Sequence, residues 1–96
     1  MAIGVIATLK VKDGKGAELE AAFRELAPKV RANEPGNKLY QICKSRTDAN
    51  TYIVMEIYDD QAAIEAHSKS DHFRAAQPAL GATLAGRPDI QLFDTV

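Results

Sequence analysis

The sequence predicts an α+β fold of the ferredoxin-like, split βαβ type, a four-stranded antiparallel sheet with helices on one face. One observation predicts the fold, and a second predicts a partner on its open face. Hydrophobic periodicity runs along the chain in the order strand, helix, strand, strand, helix, strand. The inner strands also carry apolar groups on both faces, whereas a one-sidedly covered sheet alternates apolar-in and polar-out.

The first strand is Ile3-Val5-Ala7-Leu9-Val11 alternating with Gly4, Ile6, Thr8 and Lys10, a period of two. "KDGKG" at 12–16 is a turn with two glycines. From Ala17 to about Ala32, Leu19, Ala22, Phe23, Leu26, Ala27 and Val30 fall at helical spacing and mark an amphipathic helix. Pro28 inside it removes a backbone donor and predicts a kink. "NEPGN" (33–37) ends the helix with Pro and Gly. "KLYQICKSR" and "TYIVMEIY" (51–58) read as strands joined by a tight connection, "TDAN" at 47–50. Asp59 and Asp60 supply an N-cap for a helix running to about His67. Ser68 or Ser70 can start a new helical segment carrying Phe73, Ala76, Leu80 and Leu84, weakened by Pro78 and Gly81. "AGRPD" breaks the chain, and "IQLFDTV" is the last strand.

In the third strand Ile53, Met55 and Ile57 share one face, and Tyr52, Val54 and Tyr58 the other. In the second, Leu39 and Cys43 oppose Tyr40 and Ile42. An exposed apolar sheet face of several hundred Å² is unusual for a monomer. The expectation is therefore a homodimer packed through the open sheet face.

The 96 residues make a single domain, 1–96, with no internal repeat or linker. Twelve Lys and Arg against 13 Asp and Glu leave no strong field to hold nucleic acid or an anionic membrane. The first apolar stretch is too short for a membrane span and lacks the flanks of a signal peptide. With a single cysteine, Cys43, and hence no internal disulfide, this favours the cytoplasm. Cys43 reads as a small buried hydrophobe.

The functional question centres on "EAHSKSDHFRAA" (65–76), which holds both histidines. Five residues along a continuous helix turn through about 500°, which would leave His67 and His72 about 140° apart. Helical metal pairs use i,i+3 or i,i+4 spacing, and there is no third histidine, so no metal site is predicted. His67 ends the apolar side of its helix and can point inward as a general base, or cap the core as a structural histidine. His72, after Ser70-Asp71, reads as a partly exposed first-turn residue. Glu56 lies mid-strand on the face of Tyr52, Val54 and Tyr58. A carboxylate there is costly unless paired or solvated, which suggests a pocket with a polar purpose, an ordinary solvated glutamate, or an ion pair with Arg46 or Arg24.

Three stretches carry a resemblance: "EPGN…Y" at 34–40, "YIVMEIYDDQAAIEAHSKSDHF" at 52–73 and "PALGATLAGRPDIQLFD" at 78–94. The chain resembles the antibiotic biosynthesis monooxygenase (ABM) superfamily, and within it the short quinol-monooxygenase-like members. That resemblance implies a dimeric α+β barrel of ferredoxin-like subunits. It also implies a monooxygenase acting on a small quinol, phenol or activated carbonyl compound with O₂ and no cofactor. Such an enzyme needs a base, a dry pocket and a stabiliser for the substrate anion. On this chain the resemblance makes His67 and Glu56 the catalytic candidates, with Tyr58, Tyr40, His72 and Arg46 as substrate-binding candidates. The family commonly has Trp where this chain has Tyr58, and the chain has no tryptophan. Haem-degrading relatives need an Asn on the first strand, a Trp at the position of His67 and an axial His at the position of Gln77, and this sequence has none of them.

Three other readings compete with an oxygenase. An isomerase or lyase on a small carbonyl compound would use the same two residues, with Arg46 or Arg87 for a phosphate. A non-catalytic ligand-binding dimer would have a pocket without a perturbed histidine. An RNA binder is disfavoured by the acid in "YIVMEIY" and the slightly negative net charge.

Overall fold

The computed structural model describes residues 1–96. Its elements are β1 (Ile3–Lys10), α1 (Gly16–Asn33), β2 (Asn37–Lys44), β3 (Thr51–Tyr58), α2 (Gln61–Lys69), α3 (Asp71–Thr83) and β4 (Asp89–Asp94). The strands form one antiparallel sheet in the order β2-β3-β1-β4, the ferredoxin-like arrangement. The second helical region is two helices, because Ser70 ends α2 and also caps α3: its hydroxyl accepts from the Phe73 N–H. Asp60 caps α2 in the same way through the Ala63 N–H.

The helices cover one face. Leu19, Phe23, Leu26 and Val30 of α1 are buried against Ala7 and Leu9 of β1, Tyr40 of β2 and Tyr52 and Val54 of β3. Each lies one α-helical face or one strand alternation from the next, so pattern alone brings them together. Pro28 is accommodated within α1. Across the sheet, the opposite face exposes Leu39 and Met55 at 40% each and Phe93 at 51%. Ile6, Cys43, Ile53 and Ile57 beside them are half-buried.

Two junctions fix the helix layer over the sheet. The end of α3 is tied to the end of β1, with Lys12 N–H donating to Thr83 O at 2.9 Å and Ala85 N–H to Lys10 O at 2.8 Å. At the other end the "EPG" turn packs on α2: Asp59 N–H donates to Gly36 O at 2.8 Å. A Cβ on Gly36 would lie 2.6 Å from Ala63 Cβ, so only glycine permits this approach.

Candidate active site

Between the helices and the sheet lies a 720 Å³ cavity, in the size range of small-molecule sites. Its walls are mostly apolar, with Val5 and Ala7 on the sheet and Phe23, Phe73 and Leu80 from the helices. It opens beside β4, whose Ile90 and Leu92 line it while remaining more than half exposed. At one end the apolar lining gives way to Tyr40, Glu56, Tyr58 and His67.

The position of His67 follows from its surroundings. Its ring packs against Phe73, Tyr40 and Tyr58, at centroid distances of 4.5, 5.4 and 5.6 Å. Its carbonyl accepts the Ser70 hydroxyl at 2.7 Å. Its Nδ1 meets both oxygens of Glu34, at 3.0 and 2.9 Å. Glu34 precedes Pro35, which holds it out of helical geometry at φ −121°, ψ 87°, just beyond the end of α1. His72 Nε2 meets Oε2 of the same carboxylate at 2.5 Å. All three side chains are withdrawn from solvent, with 6% of Glu34, 8% of His67 and 12% of His72 exposed.

A carboxylate offers only lone pairs, so His67 Nδ1 and His72 Nε2 each carry a hydrogen toward it. That leaves His67 Nε2, in the neutral ring, as an acceptor. Nε2 makes no hydrogen bond to the protein, yet no buried side-chain nitrogen or oxygen lacks a partner. It therefore reaches accessible space in the cavity that His67 lines. The same reasoning applies to Tyr40 Oη and Glu56 Oε2, which also have no protein partner.

Glu56 is on β3 opposite Val5 of β1 and Tyr40 of β2. Its Oε1 accepts from the Tyr58 hydroxyl at 2.5 Å. Burial raises its pKa above the usual carboxylate value; the Tyr58 hydrogen bond and nearby His67 oppose this, and Glu34 adds to it. Burial, with Glu56 and Glu34 adding to it, drives both the Tyr40 and Tyr58 hydroxyls far above the ordinary phenol range, so both remain proton donors. One end of the cavity thus presents a ring nitrogen able to take a proton beside groups biased to keep theirs.

Of the residues singled out from sequence, the structure gathers Glu56, Tyr58, Tyr40 and His67 around one cavity. It does not bring Arg46 there. Arg46 is exposed in the β2–β3 connection, and Glu56 pairs with Tyr58 rather than with Arg46 or Arg24. Arg24 instead faces Glu20 at 3.7 Å. His72 lies behind Glu34 and does not line the cavity. The 140° separation of the histidines also fails, because the chain turns at Ser70 and both imidazoles converge on Glu34. The ligand-capable atoms of Glu34, His67 and His72 lie within 4.8 Å of one another. They could supply two nitrogens and a carboxylate to a metal, one ligand short of a closed zinc site. Glu34 is the residue that the spacing argument missed. Its signal was an acid set directly before Pro-Gly at a helix end.

A family model described as antibiotic biosynthesis monooxygenase matches residues 2–79. The chain belongs to this family. Solved structures share the fold closely. A crystal structure from Caulobacter crescentus CB15, described as a candidate antibiotic biosynthesis monooxygenase, superposes with a TM-score of 0.95 at 47% identity, covering 99% of this chain and 90% of that one. A conserved protein from Methanosarcina mazei Go1 gives a TM-score of 0.90 at 25% identity, over 97% of this chain and 91% of that one. YcnE of Bacillus subtilis (strain 168), by its name a candidate monooxygenase, is 32% identical over 68 residues, 71% of this ABM chain and 70% of YcnE.

Proposed function

We propose that this ABM-family protein is a monooxygenase that oxidises a small quinol, phenol or activated carbonyl compound with O₂, the substrate itself supplying the electrons. The observation that carries the reading is the free His67 Nε2, aimed into an apolar cavity while Nδ1 is held by a buried carboxylate. Placing a base this way is the chemistry of a His–carboxylate dyad.

For a phenol with a ring C–H para to its hydroxyl, His67 Nε2 takes the O–H proton. The resulting phenolate is electron-rich enough to pass one electron to O₂. The phenoxyl radical and superoxide combine at the para carbon to form a C–O bond. The imidazolium proton goes to the distal peroxide oxygen, the O–O bond breaks, and the C–H proton is lost. One oxygen atom enters the ring as a quinone carbonyl and the other leaves as water. Tyr40 is placed to donate a hydrogen bond to the charge that develops on the substrate oxygens, and the apolar walls strengthen that stabilisation.

The acid–base pair of Glu56 and His67 would equally serve an isomerase acting on a small carbonyl compound. Oxygen uptake separates the two, since isomerisation consumes none. The exposed apolar face of Leu39, Met55 and Phe93 supports a second part of the proposal, a homodimer packed through the open sheet. The test of the activity is protein-dependent O₂ consumption on a panel of benzoquinols, naphthoquinols and catechols, with His67→Ala beside the wild type.

A further inference from the structure

We infer that His72 is a positioning residue: it fixes the Glu34 carboxylate from behind and so holds His67 in the one tautomer that presents Nε2 to the cavity. The inference rests on the reading of His67 as the base.

Glu34 has almost no access to water, so its charge must be satisfied by protein donors. Two donors reach it. His67 Nδ1 sits nearly equidistant from the two oxygens, at 3.0 and 2.9 Å, a geometry that does not by itself choose how the carboxylate is turned. His72 Nε2 contacts Oε2 alone at 2.5 Å, and that asymmetric contact pins one oxygen. With both nitrogens donating, the cluster has one consistent hydrogen pattern. Without the His72 donor, Oε2 loses its second partner and the carboxylate can rotate toward His67 or draw in water. Either change loosens the Nδ1–H bond that sets the ring.

The chain is built locally for this arrangement. Ser70 breaks the helix, donates its hydroxyl to His67 O and accepts Phe73 N–H, which places His72 on the first turn of α3 facing Glu34. Phe73, the next residue, packs on the His67 ring. One junction thus delivers both the base and its support from behind, and His72 does this without lining the cavity.

The experiment is long-range ¹H–¹⁵N NMR of the histidine rings in wild type, His72→Phe and His72→Gln. Phe keeps the bulk and removes the donor, while Gln keeps an N–H donor and removes the ring. Wild-type His67 is expected to show a single Nδ1–H tautomer. In His72→Phe that tautomer should mix with the Nε2–H form, and His72→Gln should restore it at least in part. On a substrate that the wild type oxidises, kcat in His72→Phe should fall about tenfold or more, the scale of losses from outer partners, with KM little changed. An unchanged His67 tautomer in a folded His72→Phe protein would overturn the inference. So would a rise in KM alone, which would make His72 a substrate contact. The ring spectra need no turnover, so an inactive wild type with the expected tautomer pattern would remove the oxygenase reading and leave the positioning role standing.

Discussion

Glu34 holds His67: the carboxylate lies 2.9 Å from Nδ1, and neither side chain is more than a tenth exposed. The pair joins the end of α1 to the last turn of α2, 33 residues apart in sequence. It turns an ordinary core histidine into one with a defined donor on one side and a defined acceptor on the other.

Glu34→Gln tests that arrangement. The amide can accept through only one oxygen, and its NH₂ then faces a ring N–H. We expect kcat to fall by about 10²–10⁴-fold, the range for losing a general base or its tautomer. Stability should drop by about 1–3 kcal/mol for the mismatched buried donors. Steady-state kinetics and urea unfolding report the two effects.

Glu56 makes stability depend on pH. Its pKa is raised in the folded state by burial above the 4.5 of an unperturbed glutamate. A carboxyl shifted upward binds its proton more tightly when folded, so its contribution is complete at low pH and is lost as pH rises through the window above 4.5. Glu56→Gln keeps an acceptor for Tyr58 and removes the titration. Urea midpoints should show the variant gaining on the wild type as pH goes from about 4 to about 7. A constant difference across that range would place the Glu56 carboxylate in a water-like environment.

Gly36→Ala tests the close packing of the "EPG" turn on α2. Gly36 does not have a positive φ, so the objection to a side chain is space alone. The new Cβ would meet Ala63 Cβ at 2.6 Å and force α2 away. Overpacking of this kind costs about 1–3 kcal/mol. Because α2 carries His67, kcat should fall as well, although the substitution is outside the cavity.

The open sheet face predicts a dimer in sedimentation equilibrium. Met55→Lys, at the middle of that face, should shift the mass toward the monomer, since a lysine there would be buried without a partner. A wild type that sediments as a monomer would mean that this face stays open to water.

Much of the fold was legible because its elements are strongly periodic. The alternation from Ile3 to Val11 and the spacing from Leu19 to Val30 each name one inward face, and Val5, Ala7, Leu9, Val11, Leu19, Phe23, Leu26 and Val30 on those faces are buried. Glu56 was legible as a site candidate because strand alternation sets its carboxylate among Tyr52, Val54 and Tyr58, whereas Tyr40 and Tyr58 became candidates through the family resemblance. The relation between the two histidines was not. The i,i+5 spacing implies divergence only on a continuous helix, and Ser70, read as a possible break, in fact turns the chain enough to bring both rings to one carboxylate. Glu34 was hidden for a related reason. Nothing local shows that an acid in a helix-ending turn will meet residues more than thirty positions away. Arg46 shows the opposite error, a charged residue near the right strands but on an exposed turn.

We propose that His67, oriented by Glu34, serves as the base for oxygenation in the cavity. Oxygen uptake on the quinol panel, with metal-stripped protein and with His67→Ala and Glu34→Gln in parallel, tests it most directly. The expected result is uptake above autoxidation that survives chelation, yields one water per quinone formed, and falls by at least about a hundredfold in both variants. Uptake no faster than autoxidation, or uptake undiminished in His67→Ala, would contradict it.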